Sequence, residues 1–309
     1  MLKQTNTAEG LEWSSLPQRK SKEISLADAG KIIASKKIIG IAGGTMVSQP
    51  MALIREGIRA GMSGVTVIPE ISSAFGPELM IATGVVDTLV LSYLGFETLG
   101  LSPAMRYAAE NNKLNIVEGD EAFILHGTRA AAAGLPFIPL RHVYEATDLP
   151  KYNPFLKTVI DPYTGESVTT IPALKTDICL IHAQEADEYG NTQYWGGNQQ
   201  EIDKAKASDI VIVSAERIVP VSKSRRDPYK VQLPGYLVNY VVHAPFGAHP
   251  MMCADFYLND EAHLKCYVEA FRKGQSEQYL DTFVRKPKSH TEYLQAVGLE
   301  KLLSLMRLL

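Results

Sequence analysis

Ile178-Cys179-Leu180-Ile181-His182-Ala183-Gln184-Glu185-Ala186-Asp187-Glu188-Tyr189-Gly190-Asn191 decides the fold. It opens as a short apolar run without alternation, the pattern of a strand covered on both faces. It then becomes abruptly polar, which places His182, Gln184, Glu185 and Asp187 in a loop just beyond the strand. Glu188-Tyr189-Gly190-Asn191 closes that loop as a turn, since Gly190 and Asn191 both tolerate positive φ. Polar groups gathered past the carboxyl end of a parallel strand are where open α/β sheets hold ligands.

Outward from this stretch, strands and helices alternate. Ser25-Leu26-Ala27-Asp28 reads as a capping box that opens a helix through Ile33. Strands are expected at Lys37–Ile41, Val65–Ile68, Asp87–Ser92, Leu114–Val117 and Phe137–Leu140. Between them lie helices: one capped by Ser48 with Leu53, Ile54 and Ile58 on one face, then Pro77–Thr83, Pro103–Asn111, and an Ala-rich helix to Ala133 stopped by Gly134 and Pro136. Asp161-Pro162-Tyr163-Thr164-Gly165 is a turn between β-type residues, the mark of a hairpin insertion. A second α/β stretch follows, with a helix at Ile202–Ala207 and strands at Ile210–Ser214 and Leu237–His243. Beyond Asn259 the pattern is helical. This alternation predicts an α/β fold, a doubly wound and mostly parallel sheet with a helical C-terminus. The expected organisation is a polar N-terminal tail over residues 1–24 and one domain over 25–309.

The bulk numbers narrow the function. The chain has 309 residues, a formal net charge of −3 and no long charge block. Neither a nucleic-acid footprint nor a polybasic membrane patch is visible. Cys179, Cys253 and Cys266 are far apart and lack metal-ligand spacing, so a reduced cytoplasmic setting is expected and no metal site. Met1–Lys22 lacks an apolar core of the secretory type, and no apolar run approaches the ~20 residues that span a bilayer.

Gly40-Ile41-Ala42-Gly43-Gly44-Thr45 joins a strand to a helix. Adjacent glycines let the backbone bend sharply and bring its N–H groups close to a ligand. The third glycine of a dinucleotide fingerprint and the lysine of a P-loop are both missing. Three readings stay open: a nucleotide site, a tight turn with no ligand, and a loop that binds an oxyanion.

Several segments in order carry a resemblance. They are Gly43-Gly44, Ser92-Tyr93-Leu94-Gly95, Leu114-Asn115-Ile116-Val117-Glu118, Ala133-Gly134-Leu135-Pro136-Phe137-Ile138-Pro139, His182-Ala183-Gln184-Glu185-Ala186-Asp187 and Gly190-Asn191. Trp195-Gly196-Gly197, Arg225-Arg226-Asp227-Pro228 and Ala244-Pro245-Phe246-Gly247-Ala248-His249-Pro250 add to it. Together they resemble the alpha subunit of family I coenzyme A transferases, in the glutaconate CoA-transferase branch. The resemblance implies a CoA-transferase-like, Rossmann-like fold and a homologous beta subunit, in an α2β2 assembly whose active site lies between the chains. It also implies coenzyme A as a substrate, no permanently bound cofactor, and an acyl-CoA and a small (di)carboxylic acid as reactants. The family's nucleophile is a glutamate in a Ser-Glu-Asn-Gly type motif, normally on the beta chain, and that motif does not occur in this sequence. Glu70, in Pro69-Glu70-Ile71-Ser72, does not match it and reads as a solvated loop carboxylate.

The expected catalytic contributors here are Gly43 and Gly44, as oxyanion donors, and Glu118. Glu118 ends a strand and precedes a helix, so it is either an acid set against the helix dipole or a proton-handling group. Thr45 stands where the family often has a large apolar residue. Thr45, Ser92, Tyr93, Gly95, Arg129 and His182 are the expected substrate and CoA contacts. Ser92 and Tyr93 are equally readable as strand packing, and His182 as a residue that orients its loop. Arg225 and Arg226 suit a CoA phosphate, a substrate carboxylate or a subunit contact. His243 and His249 lack a carboxylate at metal-binding spacing. Two rivals remain: an acyl-CoA hydrolase, decarboxylase or ring-cleaving lyase that uses Glu118, and a non-catalytic ligand-binding regulatory subunit.

Overall fold

The computed structural model describes residues 19–141, 144, 146–196 and 200–306. Most of the expected N-terminal tail, Met1–Gln18, and Gly197 of the tryptophan motif lie outside the described residues. The strands are β1 Ile38–Ile41, β2 Val65–Ile68, β3 Ser72–Ser73, β4 Val86–Leu91, β5 Tyr93–Leu94, β6 Asn115–Glu118, β7 Phe137–Leu140, β8 Lys157–Ile160, β9 Ser167–Pro172, β10 Thr176–Asp187, β11 Thr192–Gln193, β12 Ser208–Val219 and β13 Tyr240–His243. The central sheet has eight strands in the order β13-β12-β10-β1-β2-β4-β6, with β11 beside β10. All its pairings are parallel except β10 with β11.

Alternation hidden in the apolar run explains the two covered faces. Ile178 and Leu180 point into a core with Ile39, Ile41, Val65, Val67 and Leu89, against helices Leu26–Ala34, Met51–Arg59 and Phe75–Ala82. Cys179 and Ile181 point the other way, into a core with Val211, Val213 and Ala205 of helix Glu201–Lys206. Both faces of β10 are buried, as the unbroken apolar reading required. The helical C-terminus packs on the first face, where Tyr267 meets Phe75 edge-on with ring centroids 4.9 Å apart.

Ser25 caps its helix as expected, accepting the Asp28 N–H at 3.1 Å and donating to the Asp28 carboxylate at 2.7 Å. The hairpin insertion is also present, as β8 pairs antiparallel with β9 around Gly165 at φ 77°. Three expectations are corrected. Phe137–Leu140 joins a separate antiparallel sheet, β7-β9-β8, rather than the parallel one. Ser48 does not cap the second helix: Pro50 precedes its first turn, and Ser48 sits at φ 52°. Most consequential, His182–Asp187 is not a loop. β10 continues through it, paired with β12 from Thr176–Ser208 to Asp187–Val219. The polar side chains are buried inside the sheet, so their polarity marked internal hydrogen bonds rather than a strand end.

Candidate active site

The chain winds outward from β1 in both directions, through β2, β4 and β6 on one side and β10, β12 and β13 on the other. β1 ends against Leu180 while β10 runs on to Asp187 beside β12, so the winding reverses between them at the carboxyl edge, the place where open α/β sheets bind ligands.

The loop after β1 forms one wall. Ala42 N–H still bonds Leu180 O at 3.0 Å, and the chain then leaves the sheet. Gly43 has φ 97°, and a Cβ there would lie 2.5 Å from the Ser48 carbonyl oxygen. Conformation and space both require glycine. Gln49, fully buried, holds the turn from behind. Its Nε2 donates to the carbonyls of Gly44 (3.1 Å) and Thr45 (3.2 Å) and to Ser73 Oγ (3.1 Å), and its Oε1 accepts the Gly76 N–H at 2.6 Å. Among the described residues, the N–H groups of Gly43, Gly44, Thr45 and Met46 have no acceptor. A run of unspent donors at the carboxyl edge of a parallel sheet suits a developing negative charge.

The next two strand ends bring the neighbours expected from the sequence. Thr45 Oγ1 lies 2.7 Å from Ser72 Oγ, and Ser72 pairs in parallel register with Tyr93. Ser92 and Tyr93 are half-buried, the Tyr93 ring lies over Gly95, and Gly95 N–H bonds Ser73 O at 3.1 Å. Gly43, Gly44, Thr45, Ser92, Tyr93 and Gly95 therefore share one edge. Glu118 ends the outermost strand, paired with Leu91, and its side chain is exposed. The helix behind it is capped by Asp120, whose Oδ1 accepts the Phe123 N–H at 2.8 Å and the Tyr144 hydroxyl at 2.7 Å. Glu118 does not serve as that cap.

His182 lies on β10 just past the end of β1 but buried behind the edge, and Arg129 lies apart from it. The His182 side chain has no exposed surface, and both ring nitrogens are engaged, Nδ1 with Ser214 Oγ at 2.9 Å and Nε2 with Glu216 Oε1 at 2.8 Å. Glu216 also accepts the N–H groups of Phe246 (2.7 Å) and Gly247 (3.0 Å) and the Tyr257 hydroxyl (2.6 Å). The Ala244–Pro250 segment thus fastens the sheet to the C-terminal helices, and His182 orients that network. Arg129 lies in the last turn of its helix, away from the carboxyl edge, 3.5 Å from Asp203. Arg225 and Arg226 are exposed on the short helix after β12, with Arg226 3.7 Å from Asp227. His243 Nε2 faces Glu216 O at 3.2 Å. His249 meets a carboxylate that spacing did not reveal, with Nε2 3.3 Å from Asp260 Oδ2 and Nδ1 2.7 Å from the Tyr293 hydroxyl.

Glu70 overturns the solvated reading. It is fully buried after β2, and burial pushes its carboxyl up to about 8, against the pull of Lys204. Lys204 Nζ itself donates to Pro69 O at 2.8 Å. Sequence reasoning passed over Gln49 and Glu216. Pro50 was the available signal for Gln49, since it caps the helix Met51–Arg59 and so places the residue before it at the helix entry.

The comparisons with known proteins bear on the family and the fold. The coenzyme A transferase family model matches residues 24–244. An uncharacterized protein of Archaeoglobus fulgidus is 36% identical over 260 residues, which span 83% of this chain but 58% of that protein. A glutaconate CoA-transferase chain of Acidaminococcus fermentans is 31% identical over 305 residues, covering 92% of this chain and 94% of the relative. A crystal structure of that glutaconate coenzyme A-transferase superposes with a TM-score of 0.88 at 28% identity, over 93% of this chain and 96% of the other. The cholesterol ring-cleaving hydrolase IpdA subunit of Rhodococcus jostii is 31% identical over 292 residues, 90% of this chain and 96% of that protein. The chain belongs to the coenzyme A transferase family.

Proposed function

We propose that this chain is the alpha subunit of a heteromeric CoA-transferase that moves CoA between an acyl-CoA and a small (di)carboxylic acid. The attacking glutamate resides on a homologous beta subunit, and the assembly is α2β2. The observation that carries this reading is the glycine turn, with its N–H donors free at the carboxyl edge of the sheet and no family nucleophile motif in the same sequence. The partner's carboxylate attacks the thioester carbonyl, and the oxyanion that forms is met by the turn's N–H groups. CoA leaves as thiolate and a mixed anhydride remains. The thiolate then attacks the glutamyl carbonyl, releasing the first acid and leaving a glutamyl-CoA thioester. The second acid enters by the reverse sequence. Coenzyme A is a substrate throughout, and no permanently bound cofactor is needed.

Hydroxylamine tests this directly. Added to the assembled complex with acyl-CoA, it should convert one glutamate of the companion chain to a hydroxamate and label no carboxylate of this chain. A label on Glu70 or Glu118 would refute the division of labour.

The exposed Glu118 supports a second reading, in which the same scaffold hydrolyses, decarboxylates or cleaves its thioester substrate with Glu118 as acid or base. The similarity to a ring-cleaving hydrolase subunit keeps it in view.

A further inference from the structure

We infer that Gln49 is a positioning residue that turns the backbone N–H groups of Thr45 and Met46 outward at the carboxyl edge of the sheet, making those two, rather than Gly43, the principal oxyanion donors of the turn. The inference rests on the transfer reading above. The argument is one of peptide geometry. In a planar trans peptide the carbonyl of one residue and the N–H of the next point in opposite directions. Gln49 Nε2 draws the Gly44 and Thr45 carbonyls inward, at 3.1 and 3.2 Å. The N–H groups across those same peptides belong to Thr45 and Met46, so they face away from Gln49 and out of the protein core. Among the described residues neither has an acceptor.

Gln49 is itself fixed at its other end. Its Oε1 accepts the Gly76 N–H at 2.6 Å, which ties it to the helix Phe75–Ala82, and its Nε2 also reaches Ser73 Oγ at 3.1 Å. The Thr45–Ser72 hydroxyl pair holds the same turn from the side, at 2.7 Å. The side-chain amide is fully buried. A glycine-rich loop is otherwise free to rotate its peptide planes, and an oxyanion donor acts well only if it is oriented before the reaction. Gln49 supplies that orientation from outside the reacting centre.

The test uses the complex with its beta partner and a panel of short-chain and dicarboxylic acyl-CoA thioesters, assayed with the fastest substrate. Gln49→Met keeps the volume and removes both polar atoms, and Gln49→Ala removes the side chain. Each should lower kcat by about 10- to 100-fold while KM for the acyl-CoA stays within about 2-fold, since misorientation affects the transition state and not ground-state binding. If neither variant assembles, Ser73→Ala serves, because it loosens Gln49 without emptying its place and should lower kcat alone, about 3-fold. Unchanged kcat in any assembled variant, or a rise in KM with kcat intact, overturns the inference. Gly44→Val, run beside them, separates the two levels. If it abolishes turnover while the Gln49 variants are normal, only the role of Gln49 fails. If Gly44→Val is also normal, the oxyanion reading of the turn fails with it.

Discussion

Two regions flank the same switch point and use their polar groups in opposite ways. On the β10–β12 side, His182 and Glu216 form a buried network in which every ring nitrogen and both carboxylate oxygens have partners. On the β1 side, the turn Gly43–Met46 carries no titratable side chain, yet its N–H groups are unspent. The polar-looking segment spends its polar groups on one another, and the chemically plain one keeps its N–H groups free. Availability of donors, not polarity of side chains, separates the two.

The largest effect should come from the plain side. Gly44→Val should lower turnover of the assembled complex by about 10²- to 10³-fold, the cost of displacing the turn's oxyanion donors, with assembly unchanged by size-exclusion chromatography. Normal turnover would erase the contrast. On the other side, Glu216→Ala strands the Phe246 and Gly247 N–H groups, the Tyr257 hydroxyl and His182 in the interior. It should destabilise by about 3–5 kcal/mol in urea unfolding, an effect on folding and not selectively on kcat. A stable Glu216→Ala protein that has lost kcat would reverse the assignment of that network.

Much of this was legible from the sequence, for definite reasons. The parallel sheet could be read because strands buried on both faces cannot alternate in polarity, and Ile178–Ile181 shows that. The glycine turn could be read because Gly43 adopts a φ that other residues resist. The extension of β10 through Asp187 could not. Its polar residues are satisfied by β12, by Lys223 on Glu185 and by the Asn191 turn on Asp187, and those partners are distant in sequence or hidden in a loop. Gln49 and Glu216 were missed for the same reason, since their roles exist only after the chain has folded. Phe137–Leu140 had the composition of a strand, but composition does not say which sheet a strand joins.

Two smaller predictions sharpen the contrast. Glu118→Gln should change CoA transfer by less than about 3-fold, since Glu118 takes no part in the transfer steps, while a loss of about 10²-fold or more in thioester hydrolysis would favour the hydrolytic scaffold. Glu70 tests what burial does to an acid that the network does not satisfy. Its folded carboxyl is raised to about 8 from an ordinary 4.5. The folded state therefore binds more protons than the unfolded state between those values, so stability falls as pH rises through that window. Glu78, raised to about 7 by burial against the pull of the Ala104 N–H and Tyr267, adds the same sign up to its own value. Glu70→Gln should flatten the fall, with a gain on the order of 1 kcal/mol at pH 8 measured by thermal melts across pH. A steeper fall in the variant would contradict the buried, proton-holding carboxyl.

The central claim is that this chain supplies oriented amides and a companion supplies the nucleophile. The most direct measurement mixes the purified chain with acyl-CoA and a free carboxylic acid, with and without the beta subunit, and follows CoA exchange. The account predicts no exchange from the chain alone and rapid exchange once the companion is added. Exchange at an ordinary enzymatic rate by the isolated chain would contradict it.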